Sequence, residues 1–170
     1  MEVILTTQRL RLAPFQAEET DLFHAINTEP FVRKYLWDNA EIDRETAAEV
    51  IAKNREHFTT DGYGLWKIYR PDSNEVIGYA GLWYFFDEPQ PQLIYALREA
   101  YAGQGYATEA ARAVVQYAFS ELGFDYLLAA TDEPHTASQQ VAERLGMTFS
   151  EKRVEDEKVT VFFRLNRDHA

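Results

Sequence analysis

LIYALREAYAGQGYATEAARAVVQYAFSEL, residues 93–122, is the stretch that decides the fold. The apolar run Leu93 to Leu97 predicts a strand. Ala102-Gly103-Gln104-Gly105-Tyr106-Ala107 is a turn of small residues, and a long amphipathic helix follows it directly. From Ala107 the apolar positions recur at Ala110, Ala111, Val114, Val115, Ala118, Phe119 and Leu122, which is the spacing of one helical face. Gly103 and Gly105 leave bare N–H groups at the first turn of that helix, where unpaired amides and the positive end of the dipole favour an anion. Two readings stand open at this point: a phosphate cradle, or a glycine turn that lets a helix pack closely on its sheet.

Downstream, Gly123 supplies a helix cap and Tyr126 to Thr131 (YLLAAT) predicts a buried strand. Strand, long helix and strand make a βαβ crossover, so the two strands should run parallel. Asp132-Glu133-Pro134-His135 is the next loop, Thr136 to Leu145 a short helix closed by Gly146, and Met147 to Arg153 another strand. An acidic turn, Glu155-Asp156-Glu157, leads into the last strand, Val159 to Leu165. Upstream, Thr6 to Phe15 (TTQRLRLAPF) alternates as a half-exposed first strand, with Leu10 and Leu12 set against Arg9, Arg11 and Ala13, and Pro14 marks its end. Glu18 to Asn27 predicts a helix, and Asp43 to Phe58 a longer one capped by Asp43. Between them Phe31 to Trp37 is a short aromatic piece with Val32, Tyr35 and Leu36 on one helical face, fit for core or pocket wall. Residues 62–70 and 75–86 flank a turn as an antiparallel hairpin, and Asp87 to Pro91 is a loop because proline removes ladder donors. The expectation is one mixed α/β (α+β) domain over residues 1–170. Its central, mostly antiparallel sheet should have about six or seven strands, with one parallel crossover and about four helices.

Composition narrows the partners. A chain of 170 residues that is 46% hydrophobic and 14% aromatic can bury a core. Asp and Glu number 28 against 17 Lys and Arg, a net charge of -11 that disfavours nucleic acid and steers cationic substrates, or simply aids solubility. Cysteine is absent, so no thiol nucleophile is expected. His24, His57, His135 and His169 are scattered, so no metal site is expected either. The start, Met-Glu-Val-Ile-Leu, has no basic leader region, and no apolar run approaches the roughly 18 residues of a membrane span. A soluble, cytoplasmic protein without a membrane partner is therefore expected. No Lys follows Gly105, which excludes a P-loop, and Thr108 replaces the third glycine of a dinucleotide fingerprint.

AYAGQGYATEA before an apolar helix, then TASQQVAERLGM after a strand, resembles the GNAT superfamily of acetyl-CoA-dependent N-acetyltransferases. The opening TTQRLRLAPF and the segment EPFVRKYLW are similar to the RimJ/RimL-type branch, the ribosomal-protein alanine N-acetyltransferase-like enzymes that acetylate protein N-terminal amines. The resemblance implies acetyl-CoA as acyl-donor cosubstrate. It places the pyrophosphate loop on Ala102, Gly103, Gln104, Gly105, Tyr106 and Ala107, with Thr108 next; Gly105 and Ala107 match the pattern and Ala102 departs from it. It places the pantetheine against the backbone of Ala96 and Leu97. Ser138 matches the hydroxyl residue near the thioester sulfur, His135 stands where an Asn commonly sits beside the pantetheine, and the Tyr used as general acid by many relatives falls on Ala142.

Acetyl transfer to an amine needs a neutral amine, a place for its proton and a leaving thiolate, and positioning can supply much of the rate. A thiol pKa of about 8.5 makes the thiolate an undemanding leaving group, so a hydroxyl such as Ser138 would suffice as acid. An α-amine, with a pKa of about 7.7–8, needs only a weak base. Glu157 is the candidate, with Glu155, Asp156 and Asp87 as alternatives on nearby loops, and each also reads as surface charge. Glu109 complements the helix dipole, and Arg98 could reach a CoA phosphate or remain solvated. Tyr95, Trp83, Tyr84, Phe85 and Trp37 are candidate acceptor walls or core. The expected partner is an amine acceptor, either a protein or peptide N-terminus or a small molecule such as a polyamine, aminoglycoside or amino acid. A non-catalytic acyl-CoA-binding module is the rival from another class, and a homodimer stays open because dimers are the commonest soluble oligomers.

Overall fold

In a computed structural model, which describes residues 2–170, the predicted crossover becomes the centre of an eight-stranded sheet. The strands are β1 (Leu5–Thr6), β2 (Arg11–Pro14), β3 (Leu65–Tyr69), β4 (Val76–Trp83), β5 (Gln92–Leu97), β6 (Tyr126–Asp132), β7 (Thr148–Glu155) and β8 (Lys158–Asn166). The helices are α1 (Thr20–Thr28), α2 (Pro30–Leu36), α3 (Arg44–Asp61), α4 (Tyr106–Ser120) and α5 (Thr136–Arg144). Met1, where the leader reading begins, lies outside the described residues. Strand order is β1-β2-β3-β4-β5-β6-β8-β7, antiparallel except where β5 meets β6. No helix among the described residues is long and apolar enough to cross a membrane.

The mixed α/β architecture is as expected, but more finely divided than the sequence suggested. Thr6 to Phe15 is not one strand: Thr7 N–H donates to Leu10 O at 2.9 Å and Leu10 N–H donates to Thr7 Oγ1 at 3.0 Å, folding the run into the β1–β2 turn. Ala13, expected on the exposed side, is buried because helices cover both faces of the sheet. The aromatic piece at Phe31 becomes a helix of its own, begun by Pro30 at its first position, where a missing N–H costs nothing.

Two apolar clusters share the sheet. Leu12, Trp66, Ile68, Leu82 and Leu127 pack against the Ala110, Ala111, Val114, Ala118 stripe of α4. Phe15, Leu65, Tyr79 and Ile94 pack against Phe23 and Ile26 of α1 and Ala47 and Ile51 of α3. Ile77 is the extra residue of a bulge, since Ile68 pairs with Gly78 while Tyr69 pairs with Val76. The bulge moves the residues beyond it to the other face, which is why Ile77 and Tyr79 lie in different clusters.

The decisive feature for the site is the fork between β5 and β6. β4 and β5 pair along their length from Gln92 to Leu97, and β6 and β8 pair from Tyr126 to Asp132. Among the described residues, the only registered pair between β5 and β6 is Leu93 with Ala129. Beyond that pair each strand follows its antiparallel partner, and a wedge opens at their carboxyl ends, where ligands of α/β sheets gather.

Glu109 anchors the start of α4 beside this wedge. Its carboxylate accepts from the Thr7 hydroxyl, from Arg9 N–H at 2.9 Å and from Arg9 Nε at 2.6 Å. Burial works to raise the carboxyl pKa, yet the Thr7 and Arg9 hydrogen bonds and the Arg9 charge together hold it below its ordinary value. Glu109→Gln should therefore cost about 1–2 kcal/mol at neutral pH, toward the lower figure because the Arg9 side chain is 44% exposed. A carboxyl depressed in the native state stabilises above its unfolded pKa and loses that contribution as pH falls through the native value. In urea melts, the gap between wild type and E109Q should thus be widest at pH 7 and close progressively on acidification below pH 4.5.

Candidate active site

The wedge encloses a continuous cavity of about 870 Å³ that runs from the glycine turn, past the first turn of α5, to α2 and the acidic β7–β8 turn. Its two ends differ in chemistry.

At the glycine end the backbone dominates. Gly103 and Gly105 adopt φ of +78° and +83°, the left-handed region that side chains disfavour. A Cβ on Gly103 would meet no atom within 4 Å, so the space beside that turn is open. Among the described residues, no N–H from Gly103 to Thr108 has an internal acceptor; the first that does is Glu109, donating to Gly105 O at 3.0 Å. Thr108 Oγ1 is buried on the cavity side of α4 without a hydrogen-bond partner. Buried polar groups are normally paired, so an unpaired hydroxyl beside a run of unpaired amides fits an anionic, acceptor-rich ligand such as a pyrophosphate.

Ala102, Gly103, Gly105, Ala107 and Thr108 line the cavity, as do Ala96 and Leu97 of β5 beyond the fork. Gln104 and Tyr106 face away. Arg9 Nη1 donates to Gln104 O at 3.1 Å, and the Arg9 guanidinium lies 4.4 Å from the centre of the buried Tyr106 ring. These two residues support the turn from behind. Arg98 does not reach the cavity, because its Nε pairs with Glu29 at 2.6 Å and its Nη1 donates to Val76 O at 3.2 Å.

At the other end Ser138 and His135 both line the wall. The Tyr95 hydroxyl, from β5, donates across the wedge to Ser138 O at 2.8 Å, and Ser138 Oγ lies 3.4 Å from the same phenol oxygen. Burial pushes the Tyr95 phenol up to about 12, against a smaller downward effect of its Ser138 bond. The His135 ring, at the N-cap of α5, stacks on Tyr35 of α2 with centroids 4.1 Å apart and planes at 12°.

Glu157 is not on the cavity wall, and neither is Asp87; Glu155 and Asp156 are. Asp156 and Glu157 form the tip of a tight hairpin, with φ of +51° and +66°, and of the two only Asp156 lines the cavity. The geometry therefore gives no support to Glu157 as base. Trp37 and Trp83 serve packing: Trp37 Nε1 donates to Asn27 Oδ1 at 2.8 Å, and Trp83 packs on the cluster under α1 and α3. Tyr84 Oη accepts from the Tyr63 hydroxyl at 3.3 Å, whereas Phe85 lines the cavity. The structure adds wall residues that the sequence reading passed over. Lys158 Nζ lies 3.1 Å from Asp132 and also pairs with Asp38, tying the loop after α2 to β6 and β8. Asp132 could have been found from its place at the carboxyl end of a crossover strand; Asp38, in an irregular loop, carried no such signal.

A family model described as acetyltransferase (GNAT) domain matches residues 9–148, which includes the glycine turn, the fork and the first turns of α5. The chain belongs to the GNAT acetyltransferase family. It is an acetyl-CoA-dependent N-acetyltransferase. It is 30% identical over 149 residues to the uncharacterized protein YkkB of Bacillus subtilis, covering 86% of each chain. It is 28% identical over 159 residues to the FsC-acetyl coenzyme A-N(2)-transacetylase of Aspergillus fumigatus, covering 86% of this chain and 66% of that one. Its fold superimposes with a TM-score of 0.81 on RimL, a ribosomal L7/L12 α-N-protein acetyltransferase solved with coenzyme A, at 17% identity and covering 99% of this chain and 100% of that one. At that identity the likeness establishes the fold of the GNAT chain.

The unpaired hydroxyl sets up a two-sided test. Thr108→Val keeps the shape and removes the buried unpaired oxygen, so it should leave the melting temperature equal or higher while weakening acetyl-CoA binding by about five- to tenfold, the worth of one hydrogen bond of about 1 kcal/mol or slightly more. Calorimetric titration with acetyl-CoA beside a thermal melt reads both. Gly105→Val, which forces a β-branched residue into the left-handed region, should weaken binding by more than tenfold.

Proposed function

We propose that this GNAT enzyme is of the RimJ/RimL type and acetylates the α-amine of a protein or peptide N-terminus by direct attack, without a covalent enzyme intermediate. The observation that carries the reading is the shape and charge of the acceptor end. Phe31 and Phe85 line the cavity while 44% and 47% exposed, an apolar rim able to meet a side chain, and Glu155 and Asp156 stand on the wall beside Asp38 and Asp132, which pair with Lys158. An extended chain end carrying an ammonium and an apolar side chain complements both features. RimL, named for an α-amine of a protein, shares the fold along its whole length, which supports the same acceptor class.

Acetyl-CoA supplies an acyl group already activated as a thioester. The chain's own residues hold, orient and move protons. The amides from Gly103 to Thr108 and the Thr108 hydroxyl would take the pyrophosphate, and the free edge of β5 at Ala96 and Leu97 would take the pantetheine as a strand takes a neighbour. Ser138, fixed by Tyr95, is placed for the proton that reaches the departing sulfur, a light task because a thiol has a pKa of about 8.5. Family membership, with a cradle and an acceptor end both present, leaves the non-catalytic module without support.

The test is an amine panel followed by thiol release from acetyl-CoA. Short peptides with free α-amines should exceed Nα-blocked lysine, spermidine and an aminoglycoside by at least about tenfold in kcat/KM, part of the margin arising from the lower α-amine pKa, about 7.7–8 against 10.4 for lysine. Preferred turnover of a small polyamine, aminoglycoside or free amino acid would overturn the acceptor assignment while leaving acetyl transfer in place.

A further inference from the structure

We infer that His135 is the proton acceptor for the substrate amine, in place of the carboxylates of the β7–β8 turn. The inference rests on the acetyl-transfer reading of this cavity.

Geometry comes first. His135 caps α5 three residues before Ser138, and both face the cavity at the carboxyl end of β6. Its backbone N–H donates to Asp132 O at 2.9 Å, closing the turn that leads from strand to helix. The face-to-face stack on Tyr35 fixes the ring plane, and Nδ1 lies 3.4 Å from Thr131 Oγ1. Among the described residues no protein group hydrogen-bonds to Nε2, so that nitrogen is the one left for a ligand in the cavity. An imidazole stacked on one face and contacted at one nitrogen is pre-organised to accept a proton at the other.

The carboxylates are worse placed. Asp38 and Asp132 are both engaged by Lys158, and Glu157 is off the wall. Glu155 and Asp156 reach the wall only from an exposed hairpin tip. The charged and titratable groups facing His135 are Lys34 and Tyr35 from α2 and Asp132 from β6, with Lys158 of β8 and Asp38 behind Asp132. Burial lowers the imidazole pKa below its ordinary 6.5; Asp132 opposes this and Lys34 adds to it. His135 is therefore neutral, hence able to accept, at pH 7 and above.

The proton balance closes. The substrate ammonium gives one proton to His135 Nε2, which passes it to solvent. The neutral nitrogen then forms its bond to the acetyl carbon as the carbon–sulfur bond breaks, and a second proton moves from nitrogen through the Ser138 hydroxyl to the departing sulfur. Amide, thiol and one free proton result.

The experiment compares wild type with His135→Phe, which keeps an aromatic ring for the Tyr35 stack, and His135→Gln, which keeps a polar side chain. Acetyl-CoA affinity and melting temperature are measured beside pH profiles of kcat/KM from pH 5.5 to 9, with the best acceptor of the amine panel. The wild-type profile should fall on the acid side with an inflection below 6.5. Both variants should lose about 10²–10⁴-fold in kcat/KM and lose that acid inflection. Their acetyl-CoA affinity should stay within about threefold, because the glycine-end contacts are untouched. Variants that keep the wild-type profile overturn the inference and leave acetyl transfer standing. Thiol release that is absent from wild type with every amine overturns both readings, and loss of acetyl-CoA binding in H135F would reassign His135 to holding the donor.

Discussion

Two parallel strands that share one residue pair set the conditions for everything else in this enzyme. Leu93 and Ala129 join β5 to β6, and beyond them the sheet divides because each strand is held more firmly by its antiparallel neighbour. Antiparallel pairing is somewhat more stable per residue than parallel pairing, so the fork follows the stronger ladders. On the β4 side the approach is so close that a Cβ on Gly78 would lie 2.2 Å from Ala96 O, which binds β5 tightly to β4 and away from β6. The exposed edge of β5 is an unpaired strand edge inside the protein, a liability elsewhere and, on the proposed function, the edge that takes the pantetheine.

A fork alone would be free to close or splay further. The Tyr95 hydroxyl, reaching from β5 to Ser138 O on the helix that follows β6, spans the wedge and sets its width near the reactive end. At the other end, Glu109 with Thr7 and Arg9 ties the first turn of α4 to the β1–β2 turn, while Arg9 holds the carbonyl of Gln104. Both ends are thus braced by side chains from distant parts of the chain. The charge distribution follows the same division: the glycine end carries unpaired amides and a helix N-terminus, which suit an anion, and the other end carries carboxylates, which on the proposed function face a cation. The net charge of -11, uninformative as a total, becomes useful once its placement is known.

Periodicity carried the fold as far as it did because α4 and β6 are long, regular and buried, so burial and pattern coincide in Val114, Ala118, Leu127 and Ala129. It failed at Thr6 to Phe15, where a turn held by the Thr7 hydroxyl interrupts an alternation that continues in the letters. The glycine turn was legible because a left-handed backbone leaves a compositional trace. The acceptor end was not, since its residues come from α2, the loop at Asp38, the end of β6 and the β7–β8 turn, brought together only by tertiary contact. Glu157 shows the limit well: an acidic turn was visible, but which of its members line the cavity depends on how the turn sits against β6 and α2, which the sequence does not announce.

Ala142 looked like a missing acid, and the packing gives a different account. The residue is 1% exposed and belongs to the cluster that joins α4, α5 and the sheet, so its position is filled by core contacts in this chain. The phenol near the reactive end comes from the opposite strand, at Tyr95, and it is spent as a brace: its proton goes to Ser138 O, and burial raises its pKa to about 12, well above that of a thiol. With its proton engaged by that carbonyl, the phenol is not free to relay one to the departing sulfur, and a thiolate with a pKa of about 8.5 has little need of it. What a buried, braced phenol can do is keep Ser138 and the first turn of α5 fixed against β5, which is a contribution to positioning. In a site whose donor is already activated, positioning is where most of the catalytic free energy can come from. On the proposed function, the chemistry left for side chains is proton movement alone, one proton off the amine and one through Ser138 to the sulfur, at the end of the cavity that the braces leave open.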